Sequence, residues 1–329
     1  MSCAQAAELI RKGVRFLVTC HLRPDADALG SALGLGAMLH ALGKEAVVYV
    51  PGPIPQSLDF LRNGAQVAKH LPDGTKFDAT FIMDAASPRL VPPLPPPDCS
   101  GPLVVVDHHV AYEEFGDLAV RESDACATGE VVLRLWNEVT GGAPIPNEAA
   151  EPLYAALAAD TGNFRYPGTT SHTLRLGASL LDRGVDPWKV AYHLFERWPK
   201  PKMRLLQLVL RDMELLYEEQ VALVCVGRET FEKAGATDEM LEGLVNYGRM
   251  LEGVRIAAML WVPHPATWAK GQQEVRVSLR ADVNTDASRI AKRLGGGGHR
   301  GAAGAVLEGL MEEARRKVLE AIEEEILGL

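Results

Sequence analysis

Short apolar runs alternating with helix-patterned segments constrain this chain more than anything else in it. Val14–Cys20 (VRFLVTC) has the composition of a buried strand. Leu29, Ala32, Leu33, Leu35, Leu39 and Leu42 then recur at near-helical spacing from Ala28 to Leu42, Gly43 supplies a stop, and Glu45–Val50 forms a second strand. Strand, helix, strand alternation favours parallel pairing. Ala79–Met83 (ATFIM) and Leu103–Val106 (LVVV) continue the series, and Ala4–Lys12 precedes it as a short helix. The expected fold class is therefore α/β, a parallel-sheet N-terminal domain with helices on both faces.

Polar residues gather where these strands end. After the first comes HLRPDADALGS, His21 to Ser31, with Asp25 and Asp27 two apart and only Pro24, Ala26 and Ala28 around them. Such a turn can grip a hard cation, and it can equally be a polar turn capping the helix that begins near Ala28. Asp84 follows the ATFIM strand, and Asp107, His108 and His109 follow LVVV. In open parallel sheets the binding crevice lies outside the carboxyl ends of the strands, so these residues could share one rim. A lone Asp after a strand is commonly a turn residue. Three strands that all end in acids or histidines are harder to read as turns.

Glu130–Val139 reads as a helix, and Asn147–Ala159 as another that runs into Asp160, Thr161 and Gly162. Asp160 could be aimed inward by that turn or be ordinary loop chemistry. PPLPPP, Pro92 to Pro97, reads as a stiff connection between core strands, with a polyproline ligand for a partner domain as the alternative. Ser171–Tyr217 is helical in pattern, broken by Gly184, Pro187 and the WPKPK segment at Trp198–Lys202. The expected domains are 1–190, a helical linker 191–217, and 218–329, a smaller α/β domain. The last is read as strands at Val221–Val226, Ile256–Val262 and Glu274–Leu279, a helix at Asp286–Leu294, four glycines at Gly295–Gly298, then His299 and Arg300. Leu310–Leu329 closes the chain as an amphipathic helix.

At 329 residues two domains are the default, each able to bury its own core. Five scattered cysteines (Cys3, Cys20, Cys99, Cys126, Cys225), with no C-x-x-C pair, argue against a disulfide framework and a thiolate zinc site. No run approaches the ~20 apolar residues of a membrane span, and the first residues lack the apolar core of a signal peptide. The expected compartment is the cytosol. A formal charge of -9 speaks against a protein that coats long nucleic acid. Yet Asn246–Gly304 carries nine Lys and Arg against four Asp and Glu, which marks it as the place for an anionic substrate.

Collected, the candidate rim holds Asp25, Asp27, Asp84, Asp107 and Asp160 with His21, His108 and His109. So many like charges need cations to share a crevice. Carboxylates with a few imidazoles and no thiolate favour Mn²⁺, with Mg²⁺ as the alternative, over structural zinc, and the count suits two ions bridged by one Asp. Two metals ~4 Å apart suit hydrolysis at phosphorus.

The set H-x-x-P-D-x-D-x-x-G-S, a lone Asp84, D-H-H at Asp107–His109 and D-T-G at Asp160–Gly162 resembles the DHH phosphoesterase superfamily. GGGGHRGAAG at Gly295–Gly304, preceded by Arg280 on a strand, resembles the DHH-associated substrate-binding domain. The resemblance covers nearly the whole chain, and length and layout are most similar to the nanoRNase and pAp phosphatase branch. It implies that His21, Asp25 and Asp84 hold one ion and Asp27, Asp84, His108 and Asp160 the other. Asp107 would orient His108, and His109 would serve the scissile phosphate as hydrogen-bond donor or proton shuttle. Arg280 and His299 would hold a terminal phosphate or base, with Gly296, Gly297 and Gly298 allowing close backbone approach. Asn246 and Arg249 are helpers or plain solvated helix residues. Ala281 departs from the hydroxyl residue the family often has there, so one substrate hydrogen bond would be missing or supplied elsewhere.

The implied activity is metal-dependent hydrolysis of short single-stranded RNA to nucleoside monophosphates, and of pAp to AMP. Expected partners are a short RNA or nucleotide, with no membrane and no long duplex, and the assembly is open between monomer and homodimer. Four alternatives stand beside this: a cyclic or linear dinucleotide phosphodiesterase; a pyrophosphatase, which the GGGGH domain fits less well; a RecJ-type exonuclease, for which an additional domain would be expected; and a silent nucleotide sensor, which would have no need of a full ligand set.

Overall fold

The structure, a computed structural model, describes residues 2–62, 64–71, 74–263 and 274–327. Two compact units divide the chain, Met1–Arg197 and Trp198–Leu329.

In the first unit six strands, β1 (Arg15–Cys20), β2 (Glu45–Tyr49), β3 (Val67–Ala68), β4 (Ala79–Met83), β5 (Leu103–Asp107) and β6 (Leu118–Arg121), form one sheet. Every pairing is parallel, in the order β3-β2-β1-β4-β5-β6. Strand order thus reverses between β1 and β4, and a crevice opens at such a switch point beyond the strand ends. The helices are α1 (Ser2–Lys12), α2 (Ala26–Ala41), the single turn α3 (Pro97–Ser100), α4 (Thr128–Thr140), α5 (Asn147–Asp160), α6 (Ser171–Leu181) and α7 (Pro187–Ala191).

One sheet face buries Phe16, Val18, Phe81, Met83, Val104 and Val106 under α1, α2, α4 and α5. The other carries Leu17, Tyr49 and Phe77 in one cluster and Ile82, Ala85 and Val105 in a second. Val91 and Leu94, which flank the start of the proline run, pack on the second, so that run lies against the sheet as a connection. Gly30 of α2 faces Pro152 of α5 so closely that a Cβ would stand 2.4 Å from the proline carbonyl oxygen. A small residue is required there for the two helices to pack.

The second unit contains α8 (Lys200–Arg211), β7 (Glu214–Leu216), β8 (Val221–Val226), α9 (Arg228–Ala234), α10 (Asn246–Arg249), β9 (Ile256–Trp261), β10 (Glu274–Ala281), α11 (Ala287–Arg293), β11 (Gly297–His299), β12 (Ala302–Glu308) and α12 (Met311–Leu327). Its sheet runs β11-β12-β10-β9-β8-β7, in which, among the described residues, only β8 and β9 pair in parallel. Helices α11 and α12 cover one face, and α8 and α9 the other. Leu205, Leu206 and Val209 of α8 pack with Ala222 and Val224, so residues 200–211, read from sequence as linker, lie in this unit's core. The final helix is observed to Leu327, and the last two residues of the predicted tail lie outside the described residues.

Other predicted boundaries and elements change. The GGGGH stretch, given no element in the sequence reading, contributes strand β11 to the hairpin β11–β12. Strand β7 falls inside a stretch read as helical. Helix α4 begins at Thr128, two residues before its predicted start. Among the described residues no helix is long and apolar enough to cross a membrane.

Candidate metal centre

Helix α2 starts at Ala26, not Ala28, and Asp25 is its N-cap, accepting from the Ala28 N–H at 2.9 Å. The capping role proposed for the Asp25/Asp27 pair is therefore real for Asp25. Asp27 sits one residue inside the helix, fully buried. Its carboxylate crosses to the start of α4, where the N-cap residue Ala127 has no side chain able to cap. Asp27 Oδ2 accepts from the Thr128 N–H at 2.7 Å, and Oδ1 from the Gly129 N–H and the Ser31 hydroxyl, both at 3.0 Å. An anion at a helix N-terminus takes up donors that the helix itself leaves unpaired.

Asp84 follows β4 with φ 55°, a left-handed conformation that a non-glycine residue rarely adopts. The two oxygens of its nearly buried carboxylate face different partners. Oδ2 lies 3.7 Å from His21 Nε2. Oδ1 lies 3.8 Å from His108 Nε2 and 3.4 Å from His109 Nδ1, and accepts from the Thr128 hydroxyl at 3.0 Å. On the first side Asp25 Oδ1 is 4.0 Å from His21 Nε2. On the second, His108 Nε2 is 3.7 Å from Asp27 Oδ2 and 3.1 Å from Asp160 Oδ2. Asp160 arrives here because α5 ends on it, and α5 is set by its close packing on α2.

The electrostatics follow from this crowding. Burial, Asp160 and Asp25 together push Asp27 up to about 7, against a weaker pull from His108 and the Thr128 N–H. Burial and the neighbouring Asp27, Asp25 and Asp160 hold Asp84 well above the usual carboxylate range. Burial opposes a charge on His108, but its contact with Asp160 and the charge of Asp27 raise it to about 9. Without added positive charge this pocket therefore keeps protons. Among the described residues three donor groups offer atoms within 4.8 Å of one another: His21, Asp25 and Asp84; Asp27, His108 and Asp160; and Asp84, His108 and His109. Carboxylate oxygens with a minority of imidazole nitrogens suit hard divalent cations, and the donor set fits that chemistry.

Asp107 differs from its predicted role. Its buried Oδ1 accepts from His109 Nδ1 at 2.7 Å and from the backbone N–H groups of His108 and His109. The ring it orients is that of His109, whereas His108 Nδ1 faces the Ala125 carbonyl at 3.4 Å. Burial opposes ionisation of Asp107, yet His109 and Arg121 hold its pKa below the usual range. Sequence reasoning missed Thr128, Gly129 and Arg121. The one signal for the first two is Ala127-Thr128-Gly129, three small residues opening a helix that has no capping side chain.

In the second unit, Arg280 of β10 pairs in register with Ala302 of β12, which pairs with His299 of β11. Directly paired residues share a sheet face, so Arg280 and His299 stand in one row. Arg280 donates to the Ser278 hydroxyl at 3.3 Å and the Leu279 carbonyl at 3.0 Å. Asn246 and Arg249 lie on α10, which packs beside β9 and β10. Ala281 is buried in the core on the face opposite Arg280. A hydroxyl there would point away from Arg280, so its absence removes nothing from that face. The three glycines separate. Gly296 and Gly298 pack against Gly304, Ala305 and Ala303 so tightly that a Cβ would clash, whereas Gly297 faces open space.

A model of the N-terminal domain of the DHH family matches residues 15–157, and a DHHA1 domain model matches 219–328. The bifunctional oligoribonuclease and PAP phosphatase NrnA of Thermus thermophilus is 35% identical over 314 residues, covering 94% of this chain and 89% of that protein. The protein of the same description from Bacillus subtilis is 27% identical, covering 87% of each. Among solved structures, an exopolyphosphatase-related protein from Bacteroides fragilis superposes with a TM-score of 0.85 at 24% identity, covering 99% of this chain and 97% of that one. That likeness speaks for the fold.

Proposed function

This chain belongs to the DHH family, with a DHHA1 domain following the DHH domain, and from that premise we propose that it hydrolyses the phosphate carried on ribose O3′ of very short RNA and of pAp. One bond unites the two substrates. Cutting a dinucleotide into nucleoside 5′-monophosphates and removing the 3′-phosphate of pAp both break P–O3′ and leave AMP-type products. The observation that carries the reading is the Asp84 carboxylate, whose two oxygens face separate sets of donors.

His21, Asp25 and Asp84 would hold one divalent cation, and Asp27, Asp84, His108 and Asp160 the other. Two imidazoles in an otherwise carboxylate set favour Mn²⁺ over Mg²⁺. When bound, the cations supply an activated water and stabilise charge on the phosphoryl oxygens. Asp27 is kept in place by the α4 N–H groups and Asp84 by Thr128, so the donors are pre-oriented. Asp107 receives Nδ1–H of His109, which directs Nε2, on the opposite ring edge, away from Asp107 and toward the substrate as proton donor to O3′. Arg280 and His299 take a phosphate or base of the substrate, and the local surplus of basic residues supports an anionic ligand of a few nucleotides.

The test is turnover by the purified protein with Mn²⁺ on di- to pentaribonucleotides, pAp and cyclic dinucleotides. Release of nucleoside 5′-monophosphate from the dinucleotide and of phosphate from pAp is expected, and replacing His108 with Ala should lower both by ~100-fold or more. A metal-loaded protein inert on short RNA and on pAp would overturn the reading, and turnover confined to cyclic dinucleotides would replace it.

A further inference from the structure

We propose that Arg121 is a positioning residue for the hydrolysis: it fixes Asp107, and through Asp107 the ring of His109. The inference rests on the proposed role of His109 as proton donor. Arg121 is the last residue of β6 and stands directly beside Asp107 in the parallel register. Its guanidinium donates to Asp107 Oδ2 at 3.2 Å, leaving Oδ1 to the His109 ring and the two backbone N–H groups. The second guanidinium nitrogen donates to the Glu113 carbonyl at 3.3 Å. Tyr112 lays its ring 3.9 Å from the guanidinium carbon and closes it off, so that only 9% of the Arg121 side chain reaches solvent. A planar group held from three sides can fix the rotation of the carboxylate it touches. Asp107 itself is fully buried, and its oxygens are engaged by Arg121 and by the His108–His109 segment, not by the other acids of the pocket.

The step served is as follows. Water oxygen forms a bond to phosphorus while P–O3′ breaks, and the electron pair stays on O3′. O3′ takes a proton from His109 Nε2, the attacking water loses one to solvent, and solvent reprotonates His109. If Arg121 acts by aiming His109, its loss should matter only where the leaving oxygen needs that proton.

Turnover of a diribonucleotide and of adenosine 5′-monophosphate p-nitrophenyl ester, whose phenolate leaves unprotonated, separates the cases. Arg121→Gln should lose ~10- to 100-fold in kcat on the dinucleotide, within the range of general acid catalysis, with KM little changed. It should lose no more than about threefold on the nitrophenyl ester, and Arg121→Lys should recover part of the dinucleotide rate. Equal losses on both substrates, or no loss on either, would overturn the inference. A readout independent of turnover is the His109 Nδ1–H proton in NMR spectra of ¹⁵N-labelled protein. It should be visible in the wild type and lost to exchange in Arg121→Gln and, less so, in Arg121→Lys, whereas its persistence in both variants would overturn the inference. An inactive wild type that still shows this proton, lost on substitution, would indict the proposed reaction and not the role of Arg121.

Discussion

Asp84 concentrates the chemistry of the molecule in one residue: buried, left-handed, and facing donors on both sides. Its position after a strand was legible, because an apolar run that stops on an acid is a plain signal. Its two-sidedness came only from the family resemblance, since it depends on which strands lie beside β4. The same residue sets a pH dependence. A carboxyl raised in the folded state costs stability as pH rises above its unfolded value of about 4. For Asp27 that loss runs from about pH 4 to about 7, and Asp84 acts in the same direction. A histidine raised to about 9 adds stability below about pH 6.5 that is lost as pH climbs through 9, so His108 has the same sign. Burial lowers His21, which works the other way below about pH 6.5, so metal-free protein should melt at progressively lower temperature from about pH 6.5 to pH 9. Asp84→Asn removes the most crowded charge and should raise the metal-free midpoint at pH 8 by ~2 °C or more while abolishing the Mn²⁺-dependent gain. Thermal melts in chelator and in Mn²⁺ check both; a lower metal-free midpoint for Asp84→Asn would contradict the crowding argument.

At the scale of elements, the parallel strands and the helices between them were readable because hydrophobic period and Gly or Pro stops agreed. What escaped notice lacked those signals. Strand β7 ends in a turn made of Tyr217, Glu218 and Glu219, all with positive φ, where the sequence offers no glycine to mark it. Hairpin β11–β12 hides in glycine and alanine, whose small side chains carry no alternation. Asn246 and the glycines were named for a substrate, yet the conformation of Gly296 and Gly298 is already demanded by hairpin packing. The contact that brings Asp160 to the pocket, α2 against α5, also left little trace beyond small residues at Gly30 and Gly34. It yields a prediction: Gly30→Ala puts a methyl against the Pro152 carbonyl and should destabilise the first unit by ~1–3 kcal/mol. The helices can relieve the clash only by separating, which moves Asp160 from His108. Mn²⁺ affinity should fall along with stability, as titration calorimetry at a temperature where the variant is folded would show. Unchanged affinity would mean that the α5 end is held independently of the packing.

The whole molecule combines an acidic chain with a local surplus of cations in the segment that carries Arg280 and His299. A protein that bound long RNA would show a steep salt dependence, because each neutralised phosphate on a single strand contributes a slope of about −0.7 in log affinity against log salt. With nine of the 34 Lys and Arg in that segment and the net charge of the chain at -9, engagement of few phosphates at once is expected. The slope of log kcat/KM against log salt for a diribonucleotide should thus lie near −0.7 to −1.4, one or two phosphates' worth. It should not steepen when the substrate grows to ten nucleotides if the chain carries no extended basic track. If Arg280 holds one of the phosphates, Arg280→Gln should flatten the slope by about 0.7 and raise KM with little change in kcat, the mark of a contact made equally in the ground and transition states. A slope that steepens steadily with RNA length would instead reveal an extended basic track and refute the restriction to short substrates. An unchanged slope in Arg280→Gln would move the phosphate contact to another residue of the same basic segment.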